Sequence, residues 1–221
     1  MPRTYGVKTI RKNKKLKKID LNSWIRKQHF NHFKDFADPY FSVTIPFDVS
    51  SAYKRSKDNK QGFFVTYLHD CMKAINAVDN LKYRIIEEEV YQLDLVNASC
   101  TILRADQTFG FSFINFSKDF EEFNANFIEE KQRIMNSAEL YPPLYGLDCI
   151  HCSALPWFAF SSQKEPFSGT KDTIPKLAFS KTYKQEAKLM MNVAVSVNHA
   201  LVDGSHLGQF VEKFQENLNY K

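Results

Sequence analysis

Long apolar runs are missing from this chain, and so are most of the residues that break a fold into pieces. No stretch approaches the roughly 20 apolar residues of a membrane helix. The start, Met1-Pro2-Arg3-Thr4-Tyr5, leads into Lys-rich sequence with no hydrophobic signal core, so a cytoplasmic location away from membranes is expected. Glycine is scarce, with 7 in 221 residues, and neither an internal repeat nor a domain linker interrupts the sequence. Only four cysteines occur, at 71, 100, 149 and 152. Cys149-Ile150-His151-Cys152 has the C-x-x-C form of zinc and redox sites, but Cys71 and Cys100 stand alone and supply no second ligand pair. On a strand, moreover, Cys149 and Cys152 would point to opposite faces. Buried small hydrophobes and no metal are the expectation.

Acidic residues are absent from the first eighteen positions, which hold eight Lys or Arg. They leave 22 basic against 25 acidic residues in the remainder, so the net charge of +5 belongs to one end. Residues 1–17 are expected to form a flexible basic tail and 18–221 a single domain. No nucleic-acid role is expected beyond weak contacts of that tail. A hydrophobic content of 43% and this length suit one medium-sized domain with a full core.

Periodicity supplies a coarse order of elements. Lys18 to Leu21 reads as a short strand, and Asn22 or Ser23 as the cap of a helix starting at Trp24. Asp38-Pro39 ends that helix, and Tyr40 to Ile45 alternates as a strand. After a polar stretch from Ser51 to Gln61, the apolar positions Phe64, Leu68, Cys71, Met72 and Ile75 predict a buried helix from Phe63 to Val78. Strands are predicted at Tyr83 to Ile86, Val90 to Leu95, Ser99 to Leu103 and Phe109 to Phe116. A helix lies between Ser117 and Asn136, with Asp119, Glu121 and Glu122 in the turn its dipole favours. Ser161 to Pro175 reads as an exposed loop, and Lys188 to Val197 as a buried strand. Leu207, Phe210, Val211 and Phe214 mark a final helix. Without a regular βαβ rhythm, the fold class is α+β, a mixed and largely antiparallel sheet packed with helices.

The chemistry gathers where the last strand gives out, at Asn198-His199-Ala200-Leu201-Val202-Asp203-Gly204. An imidazole titrates near neutrality and is suited to taking and returning a proton. This His-x-x-x-Asp-Gly pattern resembles that of the chloramphenicol acetyltransferases and of their relatives, the acyltransferase cores of 2-oxo acid dehydrogenase complexes. Trp24-Ile25-Arg26-Lys27-Gln28-His29-Phe30 is similar to the first family's Trp-x-Arg-(Lys/Arg)-x-His-Phe, and Ser153-Ala154-Leu155-Pro156-Trp157 to its Ser-Ala-x-Pro-Trp. Three signatures thus fall in family order across almost the whole chain after residue 18.

The resemblance implies a chloramphenicol acetyltransferase-like fold and an acetyl-CoA-dependent O-acetyltransferase. His199 would be the general base and Ser153 the oxyanion donor, while Asp203 and Arg26 would form a structural ion pair. Acetyl-CoA would be the cosubstrate and a small hydroxyl compound the acceptor, handled in a homotrimer with sites between subunits. His32, Phe33, Phe109, Tyr141, Gln163 and Glu165 fall at acceptor-binding positions. Several departures concern that acceptor wall. Gln163, Lys164, Glu165 and Pro166 stand where the family carries apolar side chains, and a charged Glu165 against an aromatic acceptor would be costly to desolvate. A threonine of the family corresponds to Ala178 or Phe179, neither with a hydroxyl, and Asn198 replaces a histidine beside the base. A dihydrolipoamide acyltransferase usually has Arg after the catalytic His, where this chain has Ala200. A non-catalytic binding protein on the same fold would have no reason to keep His199, Ser153, Asp203 and Arg26 together.

Overall fold

The computed structural model describes residues 16–143, 146–166 and 172–220. Two sheets and five helices are built in the order β1 (Leu16–Lys18), α1 (Lys27–Phe33), β2 (Tyr40–Asp48), α2 (Ser50–Asp58), α3 (Phe63–Ala77), β3 (Tyr83–Ile86), β4 (Glu89–Leu93), β5 (Asn97–Leu103), β6 (Phe109–Phe111), α4 (Phe120–Met135), β7 (Cys149–Leu155), β8 (Lys176–Ser180), β9 (Tyr183–Gln185), β10 (Lys188–Asn198) and α5 (Gly204–Asn219). A small antiparallel sheet orders its strands β1-β4-β3, and the main sheet runs β2-β10-β8-β7-β5-β6 with β9 on β10. β7 pairs in parallel with both β8 and β5, while the other pairings of the main sheet are antiparallel. The α+β class and the mixed, largely antiparallel sheet are as expected.

β10 is the axis of this arrangement. Its apolar run pairs over nine positions with β2 and over four with β8. Val193, Val195 and Val197 turn to one face, where they join Phe47, Leu68, Phe179, Phe210 and Phe214 in a fully buried core. α3 and α5 supply the helical layer, and ring contacts fasten it: Phe47 to Phe214 at 4.8 Å and Tyr67 to Phe179 at 5.0 Å. The opposite face of the sheet is polar. One register row crosses it as Ser42, Ser196, Lys176, His151 and Ser99. Cys149 and Cys152 lie on β7 with their side chains in different apolar clusters, as the strand period requires.

Several elements differ from the sequence reading. The first strand is displaced to Leu16–Lys18, because Asp20 turns the chain: its carboxylate accepts from Asn22 N–H and Ser23 Oγ–H, each at 2.9 Å. Those two residues therefore cap nothing, and α1 starts only at Lys27. The polar stretch after residue 50 is helical, because the Asp48 carboxylate accepts from the Ser50 N–H at 3.0 Å and its hydroxyl at 2.6 Å. Buried Arg55–Asp70 then ties α2 to α3. β6 stops at Phe111, since the Ser112 hydroxyl takes the next place in the ladder, accepting from Cys100 N–H and donating to Cys100 O. β8 escaped periodicity altogether: a strand between two neighbours is buried on both faces and shows no alternation.

Arg84 of β3 is fully buried and explains how the small sheet is held to the main one. Its Nε donates to Leu147 O at 2.8 Å, Nη2 to Cys149 O at 2.7 Å, and Nη1 to Tyr83 O and Leu81 O at 2.7 and 3.1 Å. Burial pushes the guanidinium pKa down against the raising influence of Cys149, Tyr40 and the acids Asp172 and Asp148. Arg84→Met would leave those buried carbonyls without donors, at about 1–3 kcal/mol each where no water replaces them. We expect a loss of at least about 3 kcal/mol, read from urea unfolding midpoints at one fixed protein concentration, and a loss below about 1 kcal/mol would contradict this account.

Candidate active site

The turn after β10 is built by Asn198. Its backbone carbonyl accepts from Leu201 N–H and Val202 N–H, both at 3.0 Å, and its side-chain Oδ1 accepts from Ala200 N–H at 2.9 Å. Nδ2 of the same amide donates to Asp172 O at 3.1 Å, while Asn80 Nδ2 donates to Leu201 O at 2.8 Å. His199, at the crest, is fixed through its own N–H, which donates to Pro39 O at 2.8 Å. Its ring lies flat on Phe33, with centroids 4.1 Å apart and planes 6° from parallel, and tilted against Phe41 at 4.5 Å. The imidazole is clamped between rings.

Arg26 supports the turn from below. Nη1 pairs with Asp203 Oδ2, and Nη2 donates to His199 O at 3.2 Å and Ala200 O at 3.5 Å. One planar guanidinium thus joins the acid at position 203 to the backbone of the histidine. Burial pushes the Arg26 pKa down, with the Tyr83 phenol acting the other way. Trp24 has a role here, because the guanidinium carbon stands 6.0 Å from its ring centre and Trp24 meets Tyr83 edge-on. His199 Nδ1 lies 3.3 Å from Asp203 Oδ1, out of line for a hydrogen bond, and both atoms are buried. The side chain is about one-third exposed, and with Nδ1 buried, Nε2 is the ring nitrogen left to meet another molecule. Behind them, Asp203 N–H donates to His206 Nδ1 at 2.9 Å, and burial followed by Arg26 holds the His206 pKa down. A neutral His206 is what that acceptor role requires.

Ser153 is on β7, opposite Ala178 of β8, which is opposite Ala194 of β10. Asn198 lies four residues further along β10, about 13 Å at roughly 3.3 Å per residue, and two strands to the side. One chain therefore does not bring Ser153 and His199 to one reacting carbon. Of the two residues at 178 and 179, Ala178 stands beside Ser153, while Phe179 turns into the core against Tyr67.

The residues expected at acceptor positions fall in three groups. Phe33 touches His199, and His32 meets Phe33 edge-on at 4.7 Å. Gln163 and Glu165 line a cavity of about 320 Å³ on the polar face of the sheet. Phe109 and Tyr141 flank Phe111 at the far edge, with ring separations of 5.4 and 5.5 Å, and both are largely exposed. Asn198, Asn80 and His206 were missed as site residues. An Asn directly after a strand was the available signal, since its side chain favours closing a turn on the backbone two residues on.

The mixed sheet and its helical layer, with a histidine on the turn after β10 and a serine on β7 two strands away, have the fold of the CoA-dependent acyltransferases. The cubic core of a pyruvate dehydrogenase complex superposes with a TM-score of 0.62 at 14% identity, over 82% of each chain. A dihydrolipoamide acetyltransferase from Azotobacter vinelandii gives 0.65 at 12%, over 87% of this chain and 88% of its own. A solved chloramphenicol acetyltransferase agrees far better, with a TM-score of 0.83 and 27% identity over 92% of this chain and all of that one. A family model described as chloramphenicol acetyltransferase matches residues 14–215, and the chain belongs to that family of acyltransferases. Curated relatives include chloramphenicol acetyltransferase 3 of Escherichia coli, 27% identical over 92% of this chain and 97% of its own. The enzyme of Proteus mirabilis is 27% identical over 90% and 92%.

Arg26→Lys replaces a fork that reaches one carboxylate and two carbonyls by a single ammonium. We expect turnover to fall at least about tenfold with the fold retained. Asp203→Ala leaves Arg26 buried without its counter-ion, at about 3–5 kcal/mol, so its unfolding midpoint should drop sharply. Parental turnover in Arg26→Lys would remove the ion pair from the catalytic account.

Proposed function

We propose that the protein is an acetyl-CoA-dependent O-acetyltransferase in which His199 is the general base, with chloramphenicol as the first acceptor to test. The observation that carries this reading is His199 itself: a ring clamped between Phe33 and Phe41 and about one-third exposed, with Nδ1 buried beside Asp203, which leaves Nε2 as the nitrogen for the acceptor. In the reaction, Nε2 takes the proton of the acceptor hydroxyl as its oxygen attacks the thioester carbonyl. The Ser153 hydroxyl donates to the oxyanion that forms, and collapse expels CoA thiolate, which recovers the proton from His199. A thioester is already activated, so orientation, a base and an oxyanion donor suffice. Ala178 beside Ser153 offers no second hydroxyl, leaving Ser153 to act without that help.

The separation of Ser153 from His199 supports sites shared between subunits of a homotrimer. Trp157 and Phe158, directly after the Ser153 signature, are more than half exposed and suit such a contact. Residues 18–221 are read as one acetyltransferase domain, and the core that it shares with Leu16 of β1 runs on to Leu218. The basic residues before Leu16 lie outside the described residues and are assigned no catalytic part. A cytoplasmic setting suits acetyl-CoA use, and among the described residues no helix is long and apolar enough to cross a membrane.

CoA thiol release from acetyl-CoA, with purified protein and chloramphenicol, tests the reading. His199→Ala should lower turnover about 10²–10⁴-fold with acetyl-CoA binding retained, and Ser153→Ala about 10²–10³-fold. Near-parental turnover of His199→Ala would end the mechanism. Sharing of the site has its own test, since chains carrying His199→Ala and chains carrying Ser153→Ala, unfolded together and refolded, should regain activity that neither has alone. Sites contained within one chain would regain none.

A further inference from the structure

The cavity on the sheet face that carries Ser153 has a chemistry that selects its ligand. Its floor is the row Ser42, Ser196 and Lys176, on the sheet face that carries Ser153, and Lys176 is two residues from the Ala178 that pairs with Ser153. On the other side it reaches Asp38 and Tyr40, which flank the Pro39 carbonyl that holds His199. It therefore lies on the sheet face that carries Ser153 and reaches the segment whose Pro39 carbonyl holds His199. Its wall is Ser162 to Pro166. An aryl group placed there would meet hydroxyls, amides and charges.

The charges do not cancel. Lys164 Nζ is 3.3 Å from Asp38 Oδ2. Lys176 Nζ is 3.0 Å from Asp172 Oδ2 and donates to Pro166 O at 3.1 Å. Both cations are thereby matched, and the carboxylate of Glu165 is left with a neutral donor, Gln163 Nε2 at 2.9 Å. A carboxylate only accepts, so this bond fixes which end of the Gln163 amide is which. Its other end, Oε1, is buried and has no donor. A negative charge and an unserved acceptor thus stand side by side at a cavity wall. Such a pair matches an ammonium, which brings positive charge and several N–H donors at once.

We infer that the preferred acceptor is an amino alcohol, a hydroxyl compound whose protonated amine is held by Glu165 and Gln163 Oε1. This rests on the acetyl-transfer reading above. The acceptor hydroxyl oxygen bonds to the acetyl carbon as the thioester C–S bond breaks, and its proton passes through His199 to the CoA thiolate. The ammonium keeps its proton and is no nucleophile, so the product is an ester with a free amine.

The test uses the full-length protein, acetyl-CoA, and a panel of amino sugars and amino diols, each beside the compound in which a hydroxyl replaces the amine. At neutral pH, kcat/KM should favour the aminated member of a pair by about ten- to hundredfold. Glu165→Gln, which keeps volume and hydrogen bonding and removes the charge, should bring that ratio toward one mainly through KM. Gln163→Leu should lower it by a smaller factor. The product should release acetate with hydroxylamine, as an ester does and an amide does not. His199-dependent CoA release that is equal across the pairs, or a ratio indifferent to Glu165→Gln, would overturn this inference and leave acetyl transfer standing. An absence of His199-dependent release with every acceptor, chloramphenicol included, would overturn acetyl transfer itself and this inference with it.

Discussion

The buried guanidinium of Arg26 is the constraint on which the catalytic end depends. It binds the Asp203 carboxylate and the carbonyls of His199 and Ala200, so one rigid plane fixes both ends of the turn that presents the base. Such a pair is poor value as a source of stability, because removing two charges from water can cost as much as their attraction returns. Its worth is positional. The backbone after β10 has left its ladder, and without a second support His199 would depend on Pro39 and the Asn198 turn alone. Arg26 in turn is fixed by Trp24 and by burial beneath the turn, which puts α1's approach, though distant in sequence, under the same geometric demand.

The main sheet divides labour between its faces. One face is continuous with the core, where Val193, Val195, Val197, Phe179 and Cys152 pack against α3 and α5. The other carries Ser153 and the row from Ser42 to Ser99, most of whose polar groups are satisfied by one another and by the loops that cross them: Ser42 and Ser196 hydroxyls meet at 2.6 Å, and Lys176 finds Asp172 and Pro166, while the Ser99 hydroxyl is buried without a partner. His151 belongs to this row, and burial, with Lys176 and Arg84, pushes its pKa down to about 4 against the pull of Asp172. It is neutral near physiological pH, consistent with a structural place among these groups, away from the proton transfer assigned to His199. A sheet that is hydrophobic on both faces could not hold a serine at such a position without stranding its hydroxyl.

Legibility in the sequence followed local cause. β10 and α5 could be read because an apolar β-branched run, a polar turn and a 3.6-residue pattern each have a local origin. α2 could not, since Ser50–Asp58 buries only Ala52 and Ser56 and owes its helix to the Asp48 cap and to Arg55–Asp70. β8 was lost for the opposite reason, as Lys176 to Ser180 are all buried and carry no periodic contrast. At the site, Arg26, Asp203, His199 and Ser153 were found through separated signatures. Arg26 and Asp203 come together with His199 as those signatures implied, which no spacing argument over so many residues could have derived. Asn198 was discounted because it is not the base. Its work is geometric, and the structure gives it two side-chain bonds and two backbone bonds in the turn.

The catalytic turn and the acceptor wall are held by different means, and that difference has a consequence for how the protein can change. His199 is over-determined, by a backbone bond to Pro39, a ring stack on Phe33 and the Arg26 fork, so few substitutions there leave the base in place. Gln163 to Pro166 lie outside any helix or strand; Gln163 bonds Glu165, Lys164 pairs with Asp38, and the Pro166 backbone carbonyl accepts from Lys176. A loop of this kind can exchange an apolar wall for a charged one without disturbing the sheet beneath it, because it contributes little to the core. Acetyl transfer makes the same demands of any hydroxyl, namely a base, an oxyanion donor and alignment with the thioester. Recognition of the rest of the acceptor makes demands that vary with the acceptor. On the proposed reading, acetyl-transfer chemistry sits on the rigid strand end, and the choice of acceptor falls to a loop that contributes little to the core.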